Sequence, residues 1–374
     1  WHYPFENKEK IDNEKSYPAD FIAEGVDQTR GWFYTLHAIS SIVFNKVAYK
    51  NVISNGLVLD KQGQKMSKRL GNSIDPFKIL NDYGPDATRW YMISNANPWD
   101  NLKFDLNGIL EIQRKFFGTL HNTYSFFSLY ANIDGFTPEK SMNDKKQKNE
   151  LDNWIISELN SLILEVESYY EDYEPTKVCR SISEFVQEKL SNWYVRLNRR
   201  RFWKGQYGED KNSAYQTLYD CLISVAKLSA PISPFYMERL YRDLTINFPG
   251  MKYPKSVHLT DFPCFDKNKI DLSLQKRINK ARIITSLALS LRKKEQIKVR
   301  QPLKRIMIPI NSEKERNDIL SIEEQLKSEI NVKEIEVIDG DSGILVKQIK
   351  PNFKILGPRF GKDIKYISSF ANKM

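Results

Sequence analysis

Cysteine and histidine are scarce in this 374-residue chain, with three copies of one and four of the other. Cys179, Cys221 and Cys264 form no Cys-x-x-Cys pair, and His2, His37, His121 and His258 do not cluster. This argues against a disulfide framework and against any zinc module, and no metal site is expected; a reducing, cytoplasmic compartment fits best. Long apolar runs are missing too. No stretch reaches the ~18 residues that a membrane span needs, so no membrane partner is expected. The first residues, Trp1 to Glu6, carry none of the features of a signal or transit peptide.

Acids are outnumbered, 47 Asp and Glu against 57 Lys and Arg, for a net charge of +10. The location of that charge matters more than its size. From Lys276 to Arg305 there are eleven Lys and Arg and one acid, Glu295, which leaves the remainder of the chain close to neutral. A localised positive segment favours a polyanion such as RNA, the alternative being a solvated helix face. Length exceeds the usual single-domain range, so two or three domains are expected. Apolar residues at 41%, with 19 Tyr and 20 Phe, supply real cores and argue against disorder.

Short apolar runs alternate with helical stretches over residues 1–105. Phe21-Ile-Ala-Glu-Gly reads as a strand ending in a turn, Arg30 to Val43 as a helix, and Val52 to Leu59 as a second strand. Asp75 to Tyr83 and Asp86 to Ser94 read as helices. Strand–helix–strand order predicts a parallel sheet, with ligands at the carboxyl ends of its strands. From 106 to 262 the pattern is helical: Leu151, Trp154, Ile155, Leu159, Leu162 and Ile163 recur at steps of three and four. Ile182 to Leu197 repeats the pattern, Ser141 to Glu150 reads as a loop, and Asn212 to Arg242 is a helix interrupted at Pro231 and Pro234. This predicts a helical bundle. Residues 263–273 read as a linker. A basic helix over Leu274–Lys294, strands at Ile306–Ile310, Ile335–Ile338 and Ile344–Val346, and a helix near 313–330 predict a small α/β module at the end.

Three stretches carry chemistry. Leu57-Val-Leu-Asp-Lys-Gln-Gly-Gln-Lys-Met-Ser-Lys-Arg-Leu-Gly-Asn72 sets Lys65 and Lys68 around Met66 and Ser67, with Arg69 following, between glycines at 63 and 71. That is a mobile cationic loop. Ammonium groups on flexible stems can follow charge as it develops on a polyphosphate. In Phe21-Ile-Ala-Glu-Gly-Val-Asp-Gln-Thr-Arg-Gly-Trp-Phe-Tyr34 a strand ends at Glu24, Gly25 permits close backbone approach, and a helix starts near Asp27. A carboxylate there suits ribose hydroxyls or an ammonium group, although Asp27 also suits simple helix capping. In Leu190-Ser-Asn-Trp-Tyr-Val-Arg-Leu-Asn-Arg-Arg-Arg-Phe-Trp203, helical geometry puts Asn192, Arg196, Arg199 and Arg200 on one broad face. Trp193 and Leu197 form an adjoining stripe, and the tryptophans are expected mostly in the core. Arginines beside aromatics suit phosphate contact and base stacking.

The first stretch resembles the Lys-Met-Ser-Lys-Ser loop of class I aminoacyl-tRNA synthetases, with Arg69 at the last position, and its flanks through Asp75-Pro76 match almost continuously. Asp27-Gln-Thr-Arg-Gly-Trp-Phe33 is similar to the isoleucyl members in particular. Tyr83 to Tyr91, Asn101 to Asp105, Val299 to Arg305 and Gly343 to Phe353 extend the resemblance, the last two towards the eukaryotic-like bacterial branch.

The resemblance implies a multidomain α/β plus all-α protein. Its parts would be the C-terminal half of a Rossmann-like catalytic domain (1–105), a helical-bundle anticodon-binding domain (106–265) and a basic helix with a small α/β module (274–374). It implies that Lys65 and Lys68 stabilise the pyrophosphate leaving group. Glu24, Gly25, Asp27 and Gln28 would line the adenylate pocket, with Asp27 on the ribose and Glu24 near the amino group. Asn192, Arg196, Arg199 and Arg200 would face tRNA, while Arg30, Trp32 and Phe33 serve packing. Its substrates would be isoleucine, MgATP and tRNA(Ile), and the enzyme a monomeric cytoplasmic ligase. The His-x-Gly-His signature and an editing domain are not found, so the expectation is a carboxy-terminal fragment, inactive alone. Two alternatives stay open: a valyl-type synthetase, separable by the amino acid that supports pyrophosphate exchange, and a non-catalytic tRNA-binding module, in which the lysine loop would be unexplained.

Overall fold

In the computed structural model, which describes residues 3–138, 149–248, 252–339 and 352–371, a short helix α1 (Lys8–Asp12) precedes strand β1 (Ala19–Gly25). Strand β1 pairs in parallel with β2 (Tyr49–Asn55), Glu24 lying opposite Ser54, and helix α2 (Trp32–Phe44) makes the crossover between them. The helix expected from Arg30 begins later, because Val26–Arg30 forms a tight 3-10 turn. Gln28 Oε1 then accepts Trp32 N at 2.9 Å, supplying a partner for a first-turn donor of α2. The single strand expected over Val52–Leu59 is two. The chain turns at Gly56, whose N donates to Pro98 O at 2.8 Å, and β3 (Val58–Leu59) pairs instead with β4 (Leu102–Lys103).

Helices α3 (Pro76–Tyr83) and α4 (Pro85–Asn95) each start with proline at N1, where the missing N–H costs nothing. Asp75 completes the α3 start by accepting Phe77 N at 2.9 Å. Helix α4 fastens this region to the helices that follow. Trp90 is fully buried, stacks on Phe116 at 4.1 Å, and donates from Nε1 to Ser183 Oγ at 3.1 Å. Arg89 Nε donates to Ile232 O at 2.7 Å, and Thr176 Oγ1 donates to Ile93 O at 2.7 Å.

The helical part runs through α5 (Leu106–Ile112), α6 (Gly118–Asp134), α7 (Glu150–Glu171), α8 (Pro175–Glu184), α9 (Arg196–Trp203), α10 (Glu209–Ser229) and α11 (Pro234–Thr245). Pro231 and Pro234 fall in the break between α10 and α11, where the sequence expects it. Two joints were not foreseen. Wide π-helical turns, Gln113–Phe117 and Phe185–Val195, connect α5 to α6 and α8 to α9. In the second, Trp193, Tyr194 and Val195 are all buried, a run that a one-sided helix would not allow. The core holds Trp154, Phe116, Phe185, Phe202, Tyr194 and Tyr215, all with less than 2% exposure.

The chain divides into two units, Trp1–Leu272 and Ser273–Met374. The second contains all but the first residue of the basic helix α12 (Leu272–Lys294) and a parallel pair, β5 (Leu303–Ile310) with β6 (Val332–Asp339). The helix expected near 313–330 is two, α13 (Glu313–Ser321) and α14 (Glu323–Ile330), separated at the fully buried Ile322. Helices α15 (Phe353–Phe360) and α16 (Ile364–Ala371) follow. Most of the loop expected at 141–150, the strand at 344–346 and most of the motif at 343–353 lie outside the described residues.

Candidate functional site

The lysine loop is built by a side-chain clamp between its two ends. Asp60 Oδ1 accepts Gln62 N at 3.0 Å and Gln64 N at 2.7 Å, which makes an Asx-type turn out of Asp60–Gln64. Its other oxygen accepts Asn72 Nδ2 at 2.9 Å. Asn72 in turn accepts Ser67 N at 2.9 Å and donates to Lys65 O at 3.3 Å. Ser67 Oγ accepts Leu70 N at 3.2 Å, capping the short 3-10 turn Lys68–Leu70 that carries Lys68 and Arg69. The donation from Asn72, followed by those from the Gln64, Gln62 and Gly63 backbones, holds the Asp60 carboxyl below the usual carboxylate range.

Gly63 sits at φ +87°, and a Cβ there would fall 3.1 Å from Lys103 Cε, so the Lys103 stem lies against the turn. Met66 faces a cavity of about 410 Å³ bounded by Val58, Ile74, Ile79, Leu80 and Phe104. The loop therefore has a polar clamp and an apolar wall, with Lys65, Lys68 and Arg69 exposed.

At the end of β1, Glu24 and Asp27 are exposed and Gln28 is half-buried. Gln28 Nε2 donates to Asp27 Oδ2 at 3.0 Å while its oxygen serves α2. Gln28 thus orients Asp27 and caps a helix at once. A Cβ at Gly25 would stand 2.6 Å from Asp27 Oδ1, so any larger residue there would push the Asp27 side chain aside. Among the described residues no hydrogen bond or ion pair joins Glu24, Asp27 or Gln28 to Lys65 or Lys68. A second cavity, about 440 Å³, lies between Phe21, Ala23 and Ile53 on one side and Tyr170 and Tyr173 on the other, with Phe21 stacked on Tyr173 at 4.7 Å. Neither cavity is lined by Glu24, Asp27, Gln28, Lys65 or Lys68.

On the arginine segment, Asn192, Arg196, Arg199 and Arg200 are exposed, and the Arg196 guanidinium lies 5.6 Å from the Trp193 ring centre. Trp193 is buried, but Trp203 is 54% exposed, against the expectation that the tryptophans are mostly core. The third arginine of the run behaves differently. Arg201 grips Asp152 through Nη1 and Nη2 at 2.8 and 2.9 Å, and Nη2 also reaches Asp210 Oδ1 at 2.7 Å. Tyr194 OH donates to Asp152 Oδ1 at 2.7 Å. In the basic segment 276–305, Arg292 is also turned inward: it is 3% exposed and donates to the carbonyls of Lys298, Gln301 and Asn331. Lys280 pairs with Glu315 at 2.9 Å and Arg305 with Glu336 at 2.8 Å. Part of the basic charge is therefore used within the unit.

Among the described residues, no group of three His, Cys, Asp or Glu is placed to hold a metal, and no helix is long and apolar enough to cross a membrane.

The sequence profile of class I tRNA synthetases (I, L, M and V) matches residues 1–105, and that of the anticodon-binding domain of tRNA ligases matches 152–308. The isoleucine–tRNA ligase of Bacteroides thetaiotaomicron is 57% identical over 373 residues, 100% of this chain. The chain belongs to the isoleucine–tRNA ligase family of class I synthetases. The ligases of Cytophaga hutchinsonii and Thermus thermophilus are 58% and 42% identical over 99% and 96% of the chain. The chain spans about a third of these relatives, 32% of the Bacteroides ligase. The LeuRS of Agrobacterium radiobacter K84, solved as a ternary complex with tRNA and LeuAMS, superposes with a TM-score of 0.52 over 69% of this chain and 30% of its own, at 17% identity; that likeness shows the fold alone.

Proposed function

We propose that this chain is part of an isoleucine–tRNA ligase, supplying its lysine loop, one wall of its adenylate pocket and its tRNA-binding surface. The whole enzyme activates isoleucine with MgATP, forming isoleucyl-adenylate and pyrophosphate, then transfers the acyl group to the 3′ end of tRNA(Ile) with release of AMP. No covalent enzyme intermediate is required, so catalysis is positioning plus charge stabilisation. Lys68 and Lys65 neutralise charge on the departing pyrophosphate, with Met66, Ser67 and Arg69 shaping the loop around it. Asp27, oriented by Gln28, takes the ribose, Glu24 the amino group of isoleucine, and Gly25 leaves room for the adenylate.

In this reading residues 1–105 are the second half of a Rossmann-like domain, which the parallel β1–α2–β2 unit supports. Residues 106–265 are the anticodon-binding bundle, with Asn192, Arg196, Arg199 and Arg200 on its RNA face, and 274–374 a basic helix with a small α/β module. The enzyme is a cytoplasmic monomer; the buried free thiols of Cys179 and Cys221 suit that compartment.

The observation that carries the proposal is identity to isoleucine–tRNA ligases along the whole chain, at 57%, together with a loop that exposes both lysines. The test is isoleucine-dependent pyrophosphate exchange. A full-length relative with Ala at the position of Lys68 loses about 10²–10³-fold in rate, and the present chain alone shows no exchange. Exchange by the chain alone, or undiminished exchange by the Lys68→Ala enzyme, would contradict it.

A further inference from the structure

The clamp at the base of the lysine loop does more than cap a turn. Asp60 lies before the loop and Asn72 after it, and their side chains meet at 2.9 Å. Between them they satisfy backbone groups at Gln62, Gln64, Lys65 and Ser67. These four positions include Lys65 and run up to the residue before Lys68; the Leu59–Lys65 bridge, the Ser67 cap and the backbone bonds Asp60 N to Gln64 O, Gly63 N to Asp60 O and Gly71 N to Lys68 O add further fixed points. A flexible cationic loop would lose conformational entropy each time it gathered on an anion. A loop whose backbone is already tied presents the same ammonium groups at lower cost.

We infer that Asp60 and Asn72 are positioning residues, which hold the backbone of the lysine loop so that Lys65 and Lys68 converge on a polyphosphate. The inference rests on the proposed role of that loop. Neither residue needs to touch the ligand: Asp60 is a carboxylate and would repel it, and its charge is spent on Asn72 and on backbone donors.

The pair has a chemical signature that a general stabilising role lacks. Asp60→Asn turns one carboxylate oxygen into an NH₂ group facing the Asn72 NH₂, donor against donor. Asn72→Asp sets two carboxylates face to face. The exchanged pair, Asp60→Asn with Asn72→Asp, restores one donor and one acceptor and keeps acceptors for the Gln62, Gln64 and Ser67 amides. It forfeits the bond to Lys65 O, where a carboxylate oxygen then faces the carbonyl.

The experiment is limited trypsin cleavage of the full chain at Lys65, Lys68 and Arg69, read by mass spectrometry against cleavage at Lys294 in the other unit. It is repeated over a pyrophosphate titration, with the thermal unfolding midpoint recorded for each variant. Each single variant is expected to be cut about tenfold faster in the loop, and the exchanged pair to return to within about threefold of the original. The pyrophosphate concentration that half-protects the loop is expected to rise about tenfold in the singles and to recover in the pair, with the unfolding midpoint unchanged. Single variants cut at the original rate, or an exchanged pair no better than the worse single, would overturn the clamp. Loosened single variants combined with no pyrophosphate protection of the unaltered chain would instead overturn the loop as a phosphate-binding element.

Discussion

Arg201 and Asp152 form a two-bonded ion pair, at 2.8 and 2.9 Å, across 49 residues of sequence. Asp152 is fully buried on α7, and the pair ties α7 to α9, the helix that carries the exposed Arg199 and Arg200. Burying charge is tolerated here because both carboxylate oxygens are used, with Tyr194 OH and Ser213 Oγ as further donors at 2.7 and 3.3 Å.

Removing Asp152 leaves Arg201 its second partner, Asp210, whereas removing Arg201 leaves the fully buried Asp152 carboxylate with hydroxyl donors alone. Arg201→Ala should therefore lower stability by about 3–5 kcal/mol, read as a reduced urea midpoint. Arg201→Lys should fall between that variant and the original, since an ammonium cannot reproduce the two-pronged contact. A change of less than ~1 kcal/mol in Arg201→Ala, the scale of an exposed ion pair, would show that the pair contributes little.

Asp86 gives a pH prediction. Burial pushes its carboxyl above the usual range, against the opposing pull of the Tyr236 amide at 2.5 Å and of Arg89; its Oδ1 has no hydrogen-bond partner. A carboxyl raised in the folded state contributes stability that is fully present below its unfolded value and is lost as pH rises through the folded one. Asp86→Asn keeps an acceptor for Tyr236 N without the charge. Relative to the original chain, its melting temperature should therefore improve steadily as pH is raised from the acid range to neutrality. Measured melting curves whose difference is flat with pH, or moves the other way, would contradict this.

Much of the architecture follows from short-range signals. The turn from β1 at Gly25, the Asp75-Pro76 start of α3 and the break at Pro231 and Pro234 are all local backbone chemistry, and all are legible from neighbouring residues. The lysine loop was legible for the same reason, since its glycines and lysines are adjacent in sequence. What was not legible depends on distant partners. Arg199, Arg200 and Arg201 are indistinguishable in sequence, and it is Asp152, with Asp210, that turns the third inward. Asp60 and Asn72 stand in the quoted motif, but nothing local says that their side chains meet. The Asp-x-x-Gly pattern at Asp60–Gly63 was the available hint of a fixed turn. The π turns at 113–117 and 185–195 were missed because their extra residue is accommodated by packing against other helices, which a 3.6-residue period does not encode.

Binding of tRNA(Ile) by this chain is the centre of the proposed function. The most direct test is binding of the purified chain to transcribed tRNAs, including isoleucine and valine acceptors, across a salt series, beside an Arg199→Ala/Arg200→Ala variant. The expected result is a preference for the isoleucine acceptor that survives moderate salt. In the variant, binding should weaken for every tRNA, with a salt slope shallower by about 2. Equal binding to all acceptors that collapses as salt rises, with the variant unchanged, would contradict it and leave only a basic surface.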